Sequence, residues 1–279
     1  MTHASVDLSA RPKVWFVGAG PGAPDLLTFR AAAVIGAADI VVYAGSLVNA
    51  AVLTHARPGA EVYDSSGLTL EAVLALYRRA LDERLVVARL HSGDPAIYGA
   101  THEQIAFCEA AGLDCEVVPG VSSLGASAAV VGRELTVPEV AQSVVLTRLG
   151  GRTPMPDRET VRSFAAHGTT MAIFLSAARP GELQRELEAG YPPDTPCVVV
   201  VRATWPDERV LRCPLSDLAR SIREAGVHKT ALVLVGPALA ASGTRSNLYD
   251  PAFGHEFRRP QAWFDRHPDA GQGIGRGRG

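Results

Sequence analysis

The stretch that decides the fold is VWFVGAGPGAPDLLTFRAA, which runs from Val14 to Ala32. An apolar strand pattern comes first, a glycine-rich turn follows, and a helical pattern then begins near Asp25. A strand, a tight turn and a helix in this order are typical of a βαβ unit, in which the turn lies at the carboxyl end of a parallel sheet. The stretch therefore predicts an α/β fold with a ligand site at the turn, and it raises the question of whether that ligand is a dinucleotide.

Strand patterns alternate with helical patterns along most of the chain, and the helical pattern breaks around residues 132–142. We therefore predict two α/β domains, residues 1–135 and 136–245, followed by a C-terminal extension, residues 246–279. The Gly- and Arg-rich end of that extension has little to bury and is predicted to be disordered, with RNA binding as the alternative. The predicted strands are VWFVG, DIVVYA, AEVYDS, LVVARL and CEVVPG in the first domain and SVVLTR, TMAIFLS, CVVVVRAT, ERVLRCPL and ALVLVG in the second.

The composition narrows the class of protein. Charged residues make up 20% of the 279 residues and the formal net charge is −2, so no overall field attracts nucleic acid or anionic lipid. The N-terminus lacks the apolar run of a signal peptide, and no stretch reaches the ~18 apolar residues of a membrane helix. The four cysteines lack metal-ligand spacing, which predicts reduced structural thiols and no metal site. We expect a cytoplasmic protein that binds neither nucleic acid nor membrane.

The glycine loop does not have the pattern of a dinucleotide site. That pattern is GxGxxG with an acidic residue closing the second strand, whereas Gly18, Gly20 and Gly22 have GxGxG spacing. Pro21 lacks the amide donor that a pyrophosphate needs here, and the second strand ends at Tyr43 without a carboxylate. The loop favours a bulky ligand without phosphates that approaches the backbone closely, although a tight turn that needs glycine only for its geometry explains it equally well.

A second informative stretch, RLHSGDPAIYGATHEQI, runs from Arg89 to Ile105. Asp94 and Pro95 have the pattern of a helix N-cap followed by proline in the first turn. Gly93 lies at a strand end, where a residue without a side chain lets a ligand reach the backbone. His91 is either an acid–base group or a structural histidine, and the second is the more frequent outcome for a lone histidine.

Several motifs together resemble one known family. They are VGAGPGAPDLLTFRAA, SGDPAIYGA, VVPGVSSLGASAA, PCVVVVRATWPDE and ALVLVG, and they span nearly all of residues 13–240. In this order they are similar to the tetrapyrrole methylases, which use S-adenosylmethionine (SAM) to methylate uroporphyrinogen and the precorrins. The resemblance implies two α/β domains, SAM in the cleft between them, and a homodimer. It also implies that the SAM contacts, largely main-chain groups, are Pro21, Ser92, Gly93, Asp94, Ile97, Ser122, Ser123, Leu175, Ala203, Thr230 and Ala231.

Three further stretches indicate one branch of the family. VVYAGSLV at 41–48, DSSGLTL at 64–70 and LTRLGGRTPMP at 146–156 resemble the members that methylate precorrin-4 at carbon C11 in cobalamin biosynthesis. The alternatives within the family act at another ring carbon, on the cobalt-containing substrate, or on RNA or protein. Outside the methylases, the alternatives are an NAD-dependent oxidoreductase, which fails the glycine-loop test, and a protein that binds a tetrapyrrole without turnover.

The chemistry that the resemblance implies needs alignment of the reactants more than acid–base catalysis. The candidates for proton transfer at the strand ends are Tyr43, Asp64 and His91, and none is preferred as a general base. A tetrapyrrole carries many carboxylates, which favour arginine forks or clustered hydroxyls. The candidates are Ser46, Ser65, Ser66, Arg89, Arg148 and Arg152, with Arg148 ranked first because it closes a strand at the expected cleft. Each is alternatively a solvated charge or a turn residue.

Overall fold

The ten strand patterns of the sequence form two separate five-stranded sheets, which confirms the α/β fold class. The computed structural model describes residues 8, 10–151, 153–242 and 246–266. Arg152 and the predicted disordered end of the extension lie outside the described residues. None of the helices in the described part of the chain is long and apolar enough to span a bilayer.

All strands of the first sheet are parallel, in the spatial order β3-β2-β4-β1-β5. One face of β1 packs on α1 through Trp15 and Val17, and the other packs on α2 and α3 through Val14 and Phe16. Burial of both faces explains why the inner strands β1, β2 and β4 have nearly continuous apolar runs, whereas the edge strands β3 and β5 are partly exposed. The strands are β1 (Lys13–Gly18), β2 (Ile40–Tyr43), β3 (Glu61–Asp64), β4 (Val86–His91) and β5 (Asp114–Val118). The helices are α1 (Phe29–Ala37), α2 (Leu70–Glu83), α3 (His102–Ala111) and α4 (Ser123–Val131).

In the second sheet β6 and β7 are parallel and the other neighbours are antiparallel, in the order β6-β7-β10-β8-β9. Helices α5 to α7 cover one face, and α4 packs on the other. The division at residues 135 and 136 stays a prediction. The strands are β6 (Val144–Arg148), β7 (Thr170–Phe174), β8 (Pro196–Val201), β9 (Arg209–Pro214) and β10 (Ala231–Val235). The helices are α5 (Val161–Ala165), α6 (Pro180–Leu187), α7 (Leu218–Glu224) and, in the extension, α8 (Gln261–Arg266).

Two predicted helix starts are wrong. Asp25 lies in a short 3-10 turn, and α1 begins at Phe29 because the Thr28 side chain accepts a hydrogen bond from the Ala31 amide and caps the helix there. The segment after Asp94 is a turn, and α3 begins only at His102. Tyr98 has a positive φ of 54°, which ends any helix that starts at residue 95.

The exits of β1, β4 and β5 meet backbone to backbone at the carboxyl end of the first sheet. Gly20 and Gly93 form an antiparallel bridge, with the Gly93 amide donating to the Gly20 carbonyl at 2.8 Å. A Cβ on Gly120 would lie 2.7 Å from Gly18 Cα, so glycine is required for this approach. The strand order reverses between the adjacent strands β1 and β4, and open α/β sheets bind their ligands at the carboxyl ends of strands at such a point.

Candidate ligand site between the two sheets

A cavity of about 290 Å³ lies between the carboxyl end of the first sheet and the second sheet. Its wall includes all eleven residues for which the resemblance implied SAM contacts, drawn from loops of both sheets. The structure therefore brings that set together, and contact with SAM stays a prediction. The lining residues that sequence reasoning did not single out are Leu47, Tyr98, Ser127, Phe174, Ser176, Ala177, Val200, Arg202, His228, Lys229 and Leu232.

The polar backbone groups of the glycine loop are bound by side chains of the protein itself. The hydrogen bonds, each 3.0 Å long, are Trp205 Nε1 to Pro21 O, Asn49 Nδ2 to Gly22 O and Ala23 N to Thr204 Oγ1. Thr204 and Trp205 come from the loop after β8, so hydrogen bonds from the second sheet hold the glycine loop in place. A loop whose Ala23 amide is already engaged and whose Pro21 has no amide hydrogen is poorly suited to a pyrophosphate.

Asp94 lines the cavity with both carboxylate oxygens already holding backbone amides. Oδ1 accepts from Ala96 N at 2.8 Å, and Oδ2 accepts from Gly120 N at 2.9 Å. The second bond ties the exit of β4 to the exit of β5. Asp94 therefore fixes the shape of the cavity wall, whatever else it contacts.

Strained backbone is concentrated at this cavity. In the described part of the chain eight residues other than glycine have positive φ, and half of them line the cavity. Such conformations cost on the order of 1–3 kcal/mol each and tend to cluster at functional sites. The four lining residues are Tyr98, Leu175, Arg202 and Thr230.

His91 lies outside the cavity, on the face of β4 that packs against α2 and α3. The residue is 6% exposed, and its ring lies 6.0 Å from that of Phe16, centroid to centroid. Burial, reinforced by the positive charge of Arg89, lowers the pKa of His91 to about 3. The imidazole is therefore neutral at physiological pH, and the structure favours the structural role that the sequence left open.

The depressed pKa of His91 predicts acid sensitivity. Below its ordinary pKa of 6.5 the unfolded chain binds a proton that the folded chain does not bind until about pH 3. The contribution of His91 to the free energy of unfolding is thus fully present above pH 6.5. Below that pH it falls by up to about 1.4 kcal/mol per pH unit. We expect His91→Asn to make the free energy of unfolding, measured by urea denaturation, fall less steeply between about pH 6.5 and pH 4.5. The exposed-site control His167→Asn should keep the wild-type slope, and an unchanged slope in His91→Asn would contradict the expectation.

The other two candidates for proton transfer also lie outside the cavity. The exposed Asp64 accepts hydrogen bonds at Oδ1 from Ser66 N at 2.8 Å and Gly45 N at 2.9 Å, and these bonds lower its pKa. A lowered pKa makes the carboxylate a weaker base. Tyr43, half-buried at the end of β2, packs against the core of the first sheet. The structure thus brings no predicted proton-transfer residue to the cavity wall.

Arg89 and Ser65 lie together near the carboxyl ends of β4 and β3. Arg89 Nη1 donates to Ser65 Oγ at 2.7 Å, and Ser65 Oγ donates to Tyr43 O at 3.1 Å. The buried Arg89 Nε has no partner in the described part of the chain, and burial lowers the pKa of this guanidinium. Ser46 and Ser66, the other two serines predicted to bind substrate, are exposed and do not line the cavity. Arg89 is therefore a cation with one unpaired donor, but that donor is buried and Arg89 does not line the cavity.

Arg148, ranked first for substrate carboxylates, has an occupied guanidinium. It donates to Leu149 O at 3.2 Å, to Thr153 O at 3.1 Å and to Pro154 O at 3.2 Å. These bonds hold the loop after β6, so the structure favours a structural role over substrate binding. Arg152 of the same loop lies outside the described residues.

Tyr98 and Trp205 join the two sheets, and sequence reasoning gave neither a role. The Tyr98 ring packs on Phe174 with centroids 5.3 Å apart, and the Trp205 indole binds the glycine loop 184 residues away. Both lie within motifs quoted for the family resemblance. In the sequence each of these residues stands out as a large aromatic side chain in a turn of small or polar residues. The neighbouring residues, however, do not identify the group that it contacts.

The fold is that of one class of protein. Residues 13–219 match the Tetrapyrrole (Corrin/Porphyrin) Methylases, and the chain belongs to this family. The resemblance inferred from the motifs is therefore confirmed.

Individual relatives are similar over most of their length. A precorrin-4 C(11)-methyltransferase of Sinorhizobium sp. is 47% identical over 247 residues, which cover 88% of this chain and 98% of the relative. The solved structure of a cobalamin biosynthetic enzyme, cobalt precorrin-4 methyltransferase, has a TM-score of 0.80 at 42% identity and covers 85% of this chain and 99% of that one. Uroporphyrin-III C-methyl transferase from Thermus thermophilus, complexed with S-adenyl homocysteine, has a TM-score of 0.70 at 33% identity, with coverages of 82% and 99%.

Proposed function

We propose that this protein transfers a methyl group from SAM to carbon C11 of precorrin-4, or of its cobalt-containing form, in cobalamin biosynthesis. The observation that carries the proposal is the convergence of eleven family-implied residues, from both sheets, on one cavity. The substrate is proposed from the names of relatives that this chain matches over nearly their whole length. The bound homocysteine derivative in a relative's structure supports SAM as the methyl donor.

The cavity fits SAM better than a dinucleotide. The glycine loop offers no free run of amides for phosphates, since the amides of Ala19, Gly20 and Ala23 are already bonded. Strand β2 ends at Tyr43 without a carboxylate for a ribose. SAM carries no phosphate, and when bound it supplies a methyl group on a sulfonium that a carbon nucleophile attacks in line. The loops after β4 and β5 and the start of β10 would hold it through Gly93, Ser122 and Thr230.

The residues of the chain align the reactants and keep water out. Asp94 and the glycine contacts fix the first-sheet side of the cavity, and the Trp205 loop fixes the other side against it. Tyr98 and Phe174, whose rings are in contact across the two sheets, both line the cavity. The proposal uses no general base, since His91 is neutral and buried and the carboxylate of Asp64 is held by amides.

Arg89 stays a proposed substrate residue, because its only side-chain hydrogen bond in the described part of the chain is the one to Ser65 near the strand ends. A charge-assisted hydrogen bond is worth about 1.5–3 kcal/mol, so removing its cation should weaken carboxylate binding by roughly 10- to 100-fold. We expect Arg89→Met to raise the KM for the tetrapyrrole by that factor while the affinity for S-adenosylhomocysteine stays at the wild-type value. Arg220→Met, at an exposed arginine on α7, is the control and should change neither quantity. A KM unchanged in Arg89→Met would remove this residue from the substrate site.

The oligomeric state and the cellular location are also proposals. We infer a homodimer, as the family resemblance implies, and a cytoplasmic location. Light scattering on the purified protein tests the first point, because one or two copies of the chain give masses that differ by a factor of two. A monomer at micromolar concentration would overturn the dimer.

The experiment that tests the function is methyl transfer in vitro. Purified protein is incubated with methyl-labelled SAM and either precorrin-4 or cobalt-precorrin-4, and the product is analysed by mass spectrometry and NMR. We expect one labelled methyl group at C11, and the substrate that turns over identifies the form used. A label at another ring carbon would overturn the C11 assignment, and failure to bind SAM would overturn the function as a whole.

A further inference from the structure

One buried hydroxyl in the cavity wall has no partner. Ser127 on α4 lines the cavity and is fully buried, and its Oγ has no hydrogen-bond partner in the described part of the chain. Ser176, which is equally buried in the same wall, accepts from Leu149 N at 2.8 Å and donates to Phe174 O at 2.6 Å. Buried polar groups are normally paired, so the unpaired Ser127 points to a partner that binds from the cavity.

The surroundings of Ser127 are apolar. It lies one helical turn beyond Ser123 on the same face of α4, and this helix packs against β8 and β10. The wall that those strands provide consists of Val200, Ala231 and Leu232. This part of the cavity therefore suits a group with apolar faces that presents a hydrogen-bonding atom at its edge.

We infer that the Ser127 hydroxyl recognises the polar edge of the purine ring of SAM, an inference that rests on the proposed function. The amino-acid end and the sulfonium of SAM are charged, and the ribose presents hydroxyls on its surface. Only the purine combines apolar faces with donors and acceptors confined to its edge. A serine hydroxyl both donates and accepts, so it can pair with either kind of edge atom. The hydroxyl then contributes to specificity for the adenine base, a task that the apolar wall alone cannot perform.

The first test compares ligand affinity with the stability of the free protein. We expect Ser127→Ala to bind S-adenosylhomocysteine about five- to tenfold more weakly in isothermal titration calorimetry, since one neutral hydrogen bond is lost. The thermal midpoint of the ligand-free variant should not fall, because an unsatisfied buried hydroxyl has been removed. A purely structural serine would instead lower the midpoint.

Thr147 provides a matched control. Its Oγ1 is also buried without a partner in the described residues, but Thr147 does not line the cavity. Thr147→Val should therefore leave the affinity for S-adenosylhomocysteine unchanged. Wild-type affinity in Ser127→Ala would overturn the inference.

A second test identifies the part of the ligand that is recognised. The probes are S-adenosylhomocysteine analogues that lack the 6-amino group or have N1, N3 or N7 replaced by CH, together with S-ribosylhomocysteine, which has no purine. The difference between wild type and Ser127→Ala should vanish for one purine analogue and for S-ribosylhomocysteine. A difference that persists with S-ribosylhomocysteine would overturn the purine assignment. If wild type binds S-adenosylhomocysteine in no assay, the proposed function fails, and this inference fails with it.

Discussion

Replacing Gly120 with alanine is expected to lower the free energy of unfolding by about 3 kcal/mol or more and to abolish binding of S-adenosylhomocysteine. The new Cβ would lie 2.7 Å from Gly18 Cα and 3.0 Å from Gly18 C, and closer still to Gly93 O. These are backbone atoms of neighbouring strand exits, which cannot rotate away as a side chain can. Relief therefore requires the exits of β1, β4 and β5 to move apart, and those exits form one side of the cavity.

The matched control for Gly120 lies a few residues further along the chain. Gly125 is exposed within α4, and a Cβ there meets nothing within 4 Å. Gly125→Ala should therefore raise the free energy of unfolding by about 0.5–1 kcal/mol, the usual gain for alanine in a helix. Chemical denaturation and calorimetric titration of both variants measure the contrast. Wild-type stability and binding in Gly120→Ala would show that the close backbone approach is not needed.

The second large effect is expected at Gly22, where the glycine loop meets the second sheet. A Cβ at this position would lie 2.6 Å from Trp205 Nε1 and 2.9 Å from the carbonyl oxygen of Ala203. Gly22→Ala should push the indole away from Pro21 and widen the cavity, and we expect roughly 100-fold weaker binding of S-adenosylhomocysteine, about 2.7 kcal/mol. Trp205→Phe, which removes only the indole donor, should cost roughly tenfold because the Pro21 carbonyl loses its partner.

A double-mutant cycle distinguishes a shared contact from two independent defects. If both variants act by disrupting the same contact, the double variant should bind much more tightly than the product of the two losses predicts. Gly67→Ala is the control, since a Cβ there meets nothing within 4 Å. Additive losses in the cycle would mean that Gly22 and Trp205 act separately.

The sequence was most informative where a residue's local pattern reflects burial. The inner strands such as β1 were predictable because they are buried on both faces, which produces uninterrupted apolar runs, whereas edge strands such as β3 and β9 mix apolar and polar residues. The cavity-lining residues among the implied SAM contacts came from the family resemblance of the motifs, several of which lie at strand ends. Helix starts were less predictable because two capping residues compete: Asp25 and Thr28 both have the right chemistry, and only Thr28 caps α1.

The surroundings of single side chains were harder to predict. Arg148 at a strand end has the pattern of a substrate ligand, but its guanidinium donates to the carbonyls of Thr153 and Pro154 in its own loop. His91 has the chemistry of an acid–base residue, but it faces the helix layer of the first sheet and not the cavity. The carbonyl group that accepts a hydrogen bond from Trp205 belongs to Pro21, in the opposite half of the chain. Sequence pattern gives the face of a strand on which a residue lies, and it does not give the groups that approach that face from elsewhere in the chain.

The indole that joins the two sheets is also a built-in optical reporter. The chain has three tryptophans, and Trp205 differs from Trp15, which is buried in the first sheet. The Trp205 nitrogen is bonded to the glycine loop, and the Arg202 guanidinium lies 4.0 Å from the ring centroid. Any movement of the second sheet away from the first would expose this ring to solvent. The emission wavelength of Trp205, in a variant with the other two tryptophans replaced by phenylalanine, would therefore follow the opening and closing of the cleft in real time without an added label.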